Sequence, residues 1–228
     1  MSPSILVSRR WIAALAILVR PGLVAAQTRP ISIALGAGVG TVSGSLADGA
    51  NTGFTIGLGL ERPAASHVTL GAELIWTTKG ARLDGLNAVY VNDPSVSFDE
   101  LGIAPVARFQ VGNKTQPVRT VVSTGLKVWQ STGCSIDYKS DFDSGTLTDS
   151  CDGFAPDTGP FKGLERSAGV SLLLGIGIRG GKHGGEIRLE QPLGNGARSD
   201  SKTLQFGQTV SVLYRVYPRW KKRAETAT

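Results

Sequence analysis

From residue 31 onward, apolar residues alternate with small or polar ones at nearly every step, and no helical period persists. Alternation with a period of two marks a strand with two unlike faces, because successive side chains leave the pleat on opposite sides. Eight such runs stand out: 31–41, 52–61, 67–77, 98–111, 118–130, 166–179, 184–193 and 203–217. In the first, Ile31, Ile33, Leu35, Ala37 and Val39 alternate with Ser32, Ala34, Gly36, Gly38 and Gly40. In the sixth, Ala168, Val170, Leu172, Leu174, Ile176 and Ile178 oppose Ser167, Gly169, Ser171, Gly175, Gly177 and Arg179.

Run length and spacing narrow the fold. Strands of soluble domains usually have about five or six residues, whereas a tilted strand crossing a bilayer needs about 9–11. The runs here match the longer class. The connections 62–66, 112–117 and 180–183 are short, and 42–51, 78–97, 131–165 and 194–202 are longer. Short turns at one end and long loops at the other are the habit of membrane barrels. The expected fold is all-β, an eight-stranded antiparallel up-and-down transmembrane β-barrel. Its first and last strands must pair, because an open sheet edge in lipid would leave backbone groups unsatisfied. An interior of eight strands is just wide enough to be filled by side chains.

Charge then assigns the faces. The side opposite the apolar one carries Glu61, Glu73, Glu100, Glu186 and Glu190, together with Arg108, Arg119, Lys127, Arg179, Arg188 and Arg215. Buried charges are tolerable only when paired and hydrogen-bonded. The near balance of acids and bases predicts a luminal charge network, with the glycines leaving room for the long side chains. The sharper alternative is that these charges line an ion path. Trp76, Trp129 and Phe54 near the expected outer strand ends, and Phe109, Tyr217 and Trp220 near the inner ends, fit two aromatic girdles. Pro105 falls within a strand where no free edge is expected, which calls for a local bulge or twist.

The first 26 residues read as a secretory signal. Arg9 and Arg10 form the basic start, Trp11 to Val19 an apolar stretch, and Val24-Ala25-Ala26 a small-residue cleavage site. Nine apolar residues are too few to span a bilayer. The domains expected are therefore a leader, 1–26, the barrel, 27–220, and a polar tail, 221–228. Removing the leader takes away Arg9, Arg10 and Arg20, and the formal charge falls from +6 to +3. The remaining basic residues form no clustered stripe of the kind nucleic acid needs. No nucleic-acid partner is expected.

Cys134 and Cys151 are the two cysteines of an exported chain, and are read as a disulfide. It would close a loop of about 18 residues, worth about 3 kcal/mol in the chain-entropy model. Other chemistry is sparse. The strings Gly36/Gly38/Gly40 and Gly57/Gly59 lie inside strands, not between a strand and a helix, so they are no dinucleotide loop. Gly180-Gly181-Lys182-His183 reads as a turn. Asp141-Phe-Asp143-Ser-Gly145 lacks the register of a calcium loop. The two histidines fall at one end of the barrel and most aspartates at the other, which separates any Ser/His/Asp set by about 30 Å of membrane. No catalytic residue, metal site or cofactor is expected, and the chain is not read as an enzyme.

Three segments carry a family resemblance: LGAELIWTTKGARL (70–83), FDELGIAPVARFQV (98–111) and PVRTVVSTGLKVWQSTGCS (117–135). Lys79-Gly80 ends one strand, Glu100, Ile103, Pro105 and Arg108 mark the next, and Gly125 the third. In these features the chain resembles the PorT-like family of small outer-membrane β-barrel domains, across about residues 30 to 217. The resemblance implies fold and location, namely the outer membrane of a diderm bacterium, but no single activity. Unlike the usual family ending, a polar tail follows Tyr217 and Trp220.

The expected role is structural or adhesive, exercised through the extracellular loops. A monomer is expected, contacting outer-membrane lipid and, during biogenesis, the barrel-assembly machinery. Two rivals remain: a narrow channel for small or apolar solutes, and a soluble secreted lipocalin-like barrel whose apolar face points inward to bind a ligand.

Overall fold

A computed structural model describes residues 31–43, 48–82, 91–112, 116–140, 145–151, 168–193 and 205–218. The expected leader, the polar tail and Trp220 lie outside the described residues. Among the described residues nine strands follow in chain order: β1 (Ile31–Ser43), β2 (Asp48–Pro63), β3 (Val68–Arg82), β4 (Val91–Val111), β5 (Val118–Ser140), β6 (Thr146–Ser150), β7 (Ala168–Gly180), β8 (His183–Pro192) and β9 (Gln205–Val216).

Eight of them close a barrel. Each strand pairs antiparallel with its neighbours, β4 pairs β5, and β1 pairs β9 with Ile33 opposite Val216 and Ala37 opposite Val212. The β1–β9 ladder removes the free edges, as an unsatisfied backbone in lipid requires. The remaining strand, β6, pairs among the described residues only with the far end of β5, with Ser135 opposite Ser150 and Lys139 opposite Thr146.

The eight runs and the eight barrel strands coincide in order and in facing, but not in length. The expected loops 42–51, 78–97 and 131–165 are partly strand. β1 and β2 run on to Ser43 and Asp48, β3 continues to Arg82, β4 starts at Val91, and β5 reaches Ser140. Outer segments of β3, β4, β5 and β6 thus form a sheet that rises beyond the barrel proper. Polar, non-alternating stretches such as Asn92–Ser95 hid these extensions from the periodic pattern.

Pro105 behaves differently from the expectation. It points outward on β4, opposite Ala72 of β3. Toward β5 the ladder lapses between Ile103↔Val128 and Val106↔Gly125, yet the register is the same on both sides. No bulge forms there; the proline lacks the N–H for that rung, and the flanking rungs hold the alignment. The irregularities of the β4–β5 ladder lie instead between Asn92 and Ser95 and between Asp99 and Glu100.

Candidate functional site: an ion-paired lumen beneath an apolar outer sheet

The facing of the strands is unambiguous. Leu35, Leu58, Leu70, Ile103, Leu126, Ile176, Ile187 and Val212 point outward on the eight barrel strands and are exposed. On β4 this outer face runs from Leu101 to Phe109. About nine residues at about 3.3 Å each, tilted by about 40°, make an apolar band roughly 23 Å tall. The soluble ligand-binding barrel requires the reverse facing, with aliphatic side chains inward, and the structure turns them out.

Inside, the charged side chains separate into two clusters. The upper one joins Lys79 and Lys127 to Glu100 and Glu190. Lys79 Nζ lies 3.0 Å from Glu100 Oε2 and 2.9 Å from Glu190 Oε1. Lys127 Nζ lies 3.0 Å from Glu100 Oε2 and 3.2 Å from Glu190 Oε2. Two ammonium groups thus face two carboxylates with no net charge. Gly102 makes the space, since a Cβ there would stand 2.8 Å from Lys127 Cε.

The lower cluster is built on guanidinium groups. Glu73 receives Arg108, Arg188 and Arg215, with Arg188 Nη1 at 2.9 Å and Arg215 Nη1 at 2.8 Å. Glu186 binds Arg215 Nε at 2.6 Å and Arg188 Nε at 2.9 Å, and accepts from Ser123 at 2.8 Å. Glu61 takes Arg108 Nη1 at 2.6 Å and, more loosely, Arg179 Nη1 at 3.5 Å. Planar, multi-donor guanidinium is suited to bridging several carboxylates at once. Gly175 leaves room here, because a Cβ would fall 2.5 Å from Glu186 Oε1.

Between the clusters lies an apolar layer. Ile75, Ala104, Val106 and Leu173 form one buried group, and Leu213 is buried on β9. Along β3, Ile75 lies between Glu73 below and Lys79 above. Along β4, Ala104 and Val106 lie between Arg108 and Glu100. The lumen is therefore filled by side chains in three layers: ionic, apolar and ionic.

Of the residues expected in the network, ten take part in one cluster or the other: Glu61, Glu73, Glu100, Arg108, Lys127, Arg179, Glu186, Arg188, Glu190 and Arg215. Arg119 sits at the lower rim, half-buried, and donates from Nη1 to Gln110 Oε1 at 2.9 Å. Lys79 was missed. Its parity matches Glu73 and Thr77, so extending the third run by two residues would have placed it inside. Two expected girdle residues also turn inward. Trp129 is buried, its Nε1 donating to Ser171 Oγ at 3.1 Å, with the Lys79 ammonium 5.9 Å from its ring. Tyr217 is buried at the lower mouth under the Arg179 guanidinium, 3.7 Å from its ring centroid. Phe54 and Trp76 do pair on the outside, edge to face at 6.1 Å, and Phe109 is exposed near the inner end of β4.

Above the barrel the same inward direction carries hydrophobes. Ala81, Val96, Phe98 and Ile136 are completely buried, and the Cys134–Cys151 disulfide joins the base of this layer to the end of β6. Outward neighbours here are polar: Ser95, Ser97 and Asp99 on β4. The changeover falls at the bulge between Asp99 and Glu100. There Ser131 donates to Gly133 O at 3.3 Å, and Thr132 donates to Asp99 O at 3.3 Å. The extra residue on β5 shifts its inward set from Trp129 and Ser131 to Cys134 and Ile136. At the tip, Asp93, with a φ of 50°, receives Arg82 at 3.1 Å and Lys139 at 3.4 Å.

Fold and site together define a closed eight-stranded antiparallel barrel with an aliphatic exterior, an ion-paired interior and a disulfide-linked outer sheet. Among solved structures, it is similar in shape to Neisserial surface protein A (NspA), with 12% identity, a TM-score of 0.42, and coverage of 82% of this chain and 97% of that one. It is also similar to the outer membrane enzyme PagL (14%, TM-score 0.40, 81% and 99%) and to Ail of Yersinia pestis (12%, TM-score 0.37, 83% and 99%). No family model and no curated protein matches the sequence.

Proposed function

We propose that this protein is an outer-membrane β-barrel of a diderm bacterium, exported on the leader 1–26, that acts through its outer sheet and loops rather than through its lumen. The observation that carries the reading is the belt of exposed aliphatic side chains around all eight barrel strands. Such a continuous apolar band on a soluble protein would be an aggregation surface; around a closed barrel it matches the hydrocarbon core. The PorT-like assignment rests on the segments 70–83, 98–111 and 117–135 and belongs to the same proposal. We assign the barrel no catalytic step.

The filled lumen weighs against conduction. Solute would have to part the Ile75/Ala104/Val106/Leu173 layer and then break ion pairs on either side of it. The outer sheet, in contrast, is held by a disulfide and its own small core, so it presents a fixed polar surface to the outside. That surface, carrying Asp93, Asp137, Lys139 and Asp149, is the proposed point of contact with an extracellular partner.

Two experiments test the proposal. Fractionation of expressing cells should place the protein in the outer membrane, with heat-modifiable migration on unboiled gels; recovery as a soluble periplasmic monomer overturns it. Reconstituted bilayers should stay silent. Steady conductance would instead support the channel.

A further inference from the structure

We infer that the lower mouth of the barrel holds a site for one small monovalent anion, of halide size, bounded by Arg108, Arg179, Arg215 and Tyr217. Three independent features meet there. A recess with room for about one water molecule opens at this end, lined by those residues, Glu186 and Gly184. Glycines at 177 and 184 keep side chains out of its wall.

The charge count is the second feature. The upper cluster balances, two against two. Among the described residues, the lower cluster places Arg108, Arg179, Arg188 and Arg215 against Glu61, Glu73 and Glu186. One positive charge is thus in excess, and three of these four guanidinium groups, those of Arg108, Arg179 and Arg215, line the recess.

The third feature is an orphaned donor. Arg108 is buried, its terminal nitrogens are taken by Glu61 and Glu73, and its Nε makes no hydrogen bond. A buried guanidinium N–H without an acceptor is costly. An anion in the recess would give the excess charge its counterion and offer an acceptor to the surrounding donors. Glu186 also borders the recess, but its carboxylate is engaged by Arg188, Arg215 and Ser123. The recess is too small for a phosphate or an organic acid. Its Arg179–Tyr217 edge, with the Arg179 side chain 24% exposed, leaves an approach from solvent.

The inference holds for the folded barrel wherever it resides, and it is tested on the intact protein in detergent. Thermal unfolding is compared in sodium chloride, bromide, gluconate and phosphate at one ionic strength. Chloride and bromide should raise the midpoint saturably, by about 3–6 °C at tenfold excess over the dissociation constant, while gluconate should not. Arg179→Gln should remove the saturable rise, while Arg62→Gln on the exposed rim should leave it intact. Crystals soaked in bromide should show an anomalous peak within hydrogen-bonding reach of Arg108 and Arg179. Equal midpoints in all four salts overturn the inference, as does a rise with phosphate alone or an undiminished halide response in Arg179→Gln. Should that variant fail to fold, the bromide map decides: no peak in the recess overturns it.

Discussion

Strands β4 and β5 run through two environments, and their inward faces differ accordingly. Within the barrel the inward charged residues are Arg108, Glu100 and Lys127, with Ala104 and Val106 between them; in the outer sheet the inward residues are Phe98, Val96 and Ile136. The outward residues change in the opposite sense, from Ile103 and Leu101 to Asp99, Ser97 and Ser95. The strand's direction is continuous while its chemistry inverts. Where the outside is hydrocarbon, the greasy side chains go out and the interior must be filled by polar groups that satisfy one another. Where the outside is water, the ordinary rule returns and the interior becomes an aliphatic core. The Asp99/Glu100 bulge sits at this boundary, and on β5 it supplies the one-residue shift that brings Cys134 and Ile136 inward.

Glu73 is the most sensitive point of the polar interior. Glu73→Gln leaves Arg108, Arg188 and Arg215 facing a neutral group, and loss of one member of a buried ion network costs about 3–5 kcal/mol. The midpoint of urea unfolding from lipid bilayers should fall accordingly; a loss under 1 kcal/mol would mean that water already solvates the lower lumen.

The next test opposes the two outward faces. Leu174→Lys on β7 should destabilise the barrel by about 2–4 kcal/mol, the cost of a lysine near mid-bilayer. Ser97→Lys, on the outward side of the outer sheet, should change stability by no more than about 0.5 kcal/mol. Equal losses would place the water boundary elsewhere.

The disulfide separates the regions again. Replacing Cys134 and Cys151 by serine removes about 3 kcal/mol in the chain-entropy model, and the loss should be local. Limited proteolysis should cut within 131–151 while heat-modifiable migration of the barrel persists. Concerted loss of both would show that the two regions fold as one unit.

The smallest effect is spectroscopic. In the outer sheet, Tyr138 Oη donates to Asp149 Oδ2 at 2.8 Å. That hydrogen bond to the carboxylate holds the phenol above its ordinary ionisation range. With the folded value raised, the neutral phenol is favoured in the native state, and this contribution fades only as pH climbs through the phenol's folded range. Ultraviolet titration should show a late-ionising tyrosine component that Asp149→Asn moves back toward the ordinary range.

Much of this was legible along the chain. Strand number, order and facing follow from alternation, because a side-chain period of two is a property of the backbone itself. The acids and bases of the lumen could be read for the same reason: they share parity with glycines and oppose the leucines. Local pattern ended where alternation changed meaning. Beyond Glu100 the polar residues point out instead of in, so the outer extensions of β3, β4 and β5 resembled loops.

Alternation along the chain suffices for a closed eight-stranded barrel with a charged interior, since only one parity of each strand tolerates hydrocarbon. Which acid meets which base depends on how the strands come together in space. Glu73 and Arg188 are 115 positions apart and Lys79 and Glu190 are 111, and closure of the barrel, with its strand stagger, brings them together. Trp129 and Tyr217 share the parity of Lys127 and Arg215, so alternation already points them inward; closure decided only their partners, Ser171 and Lys79 for Trp129 and Arg179 for Tyr217.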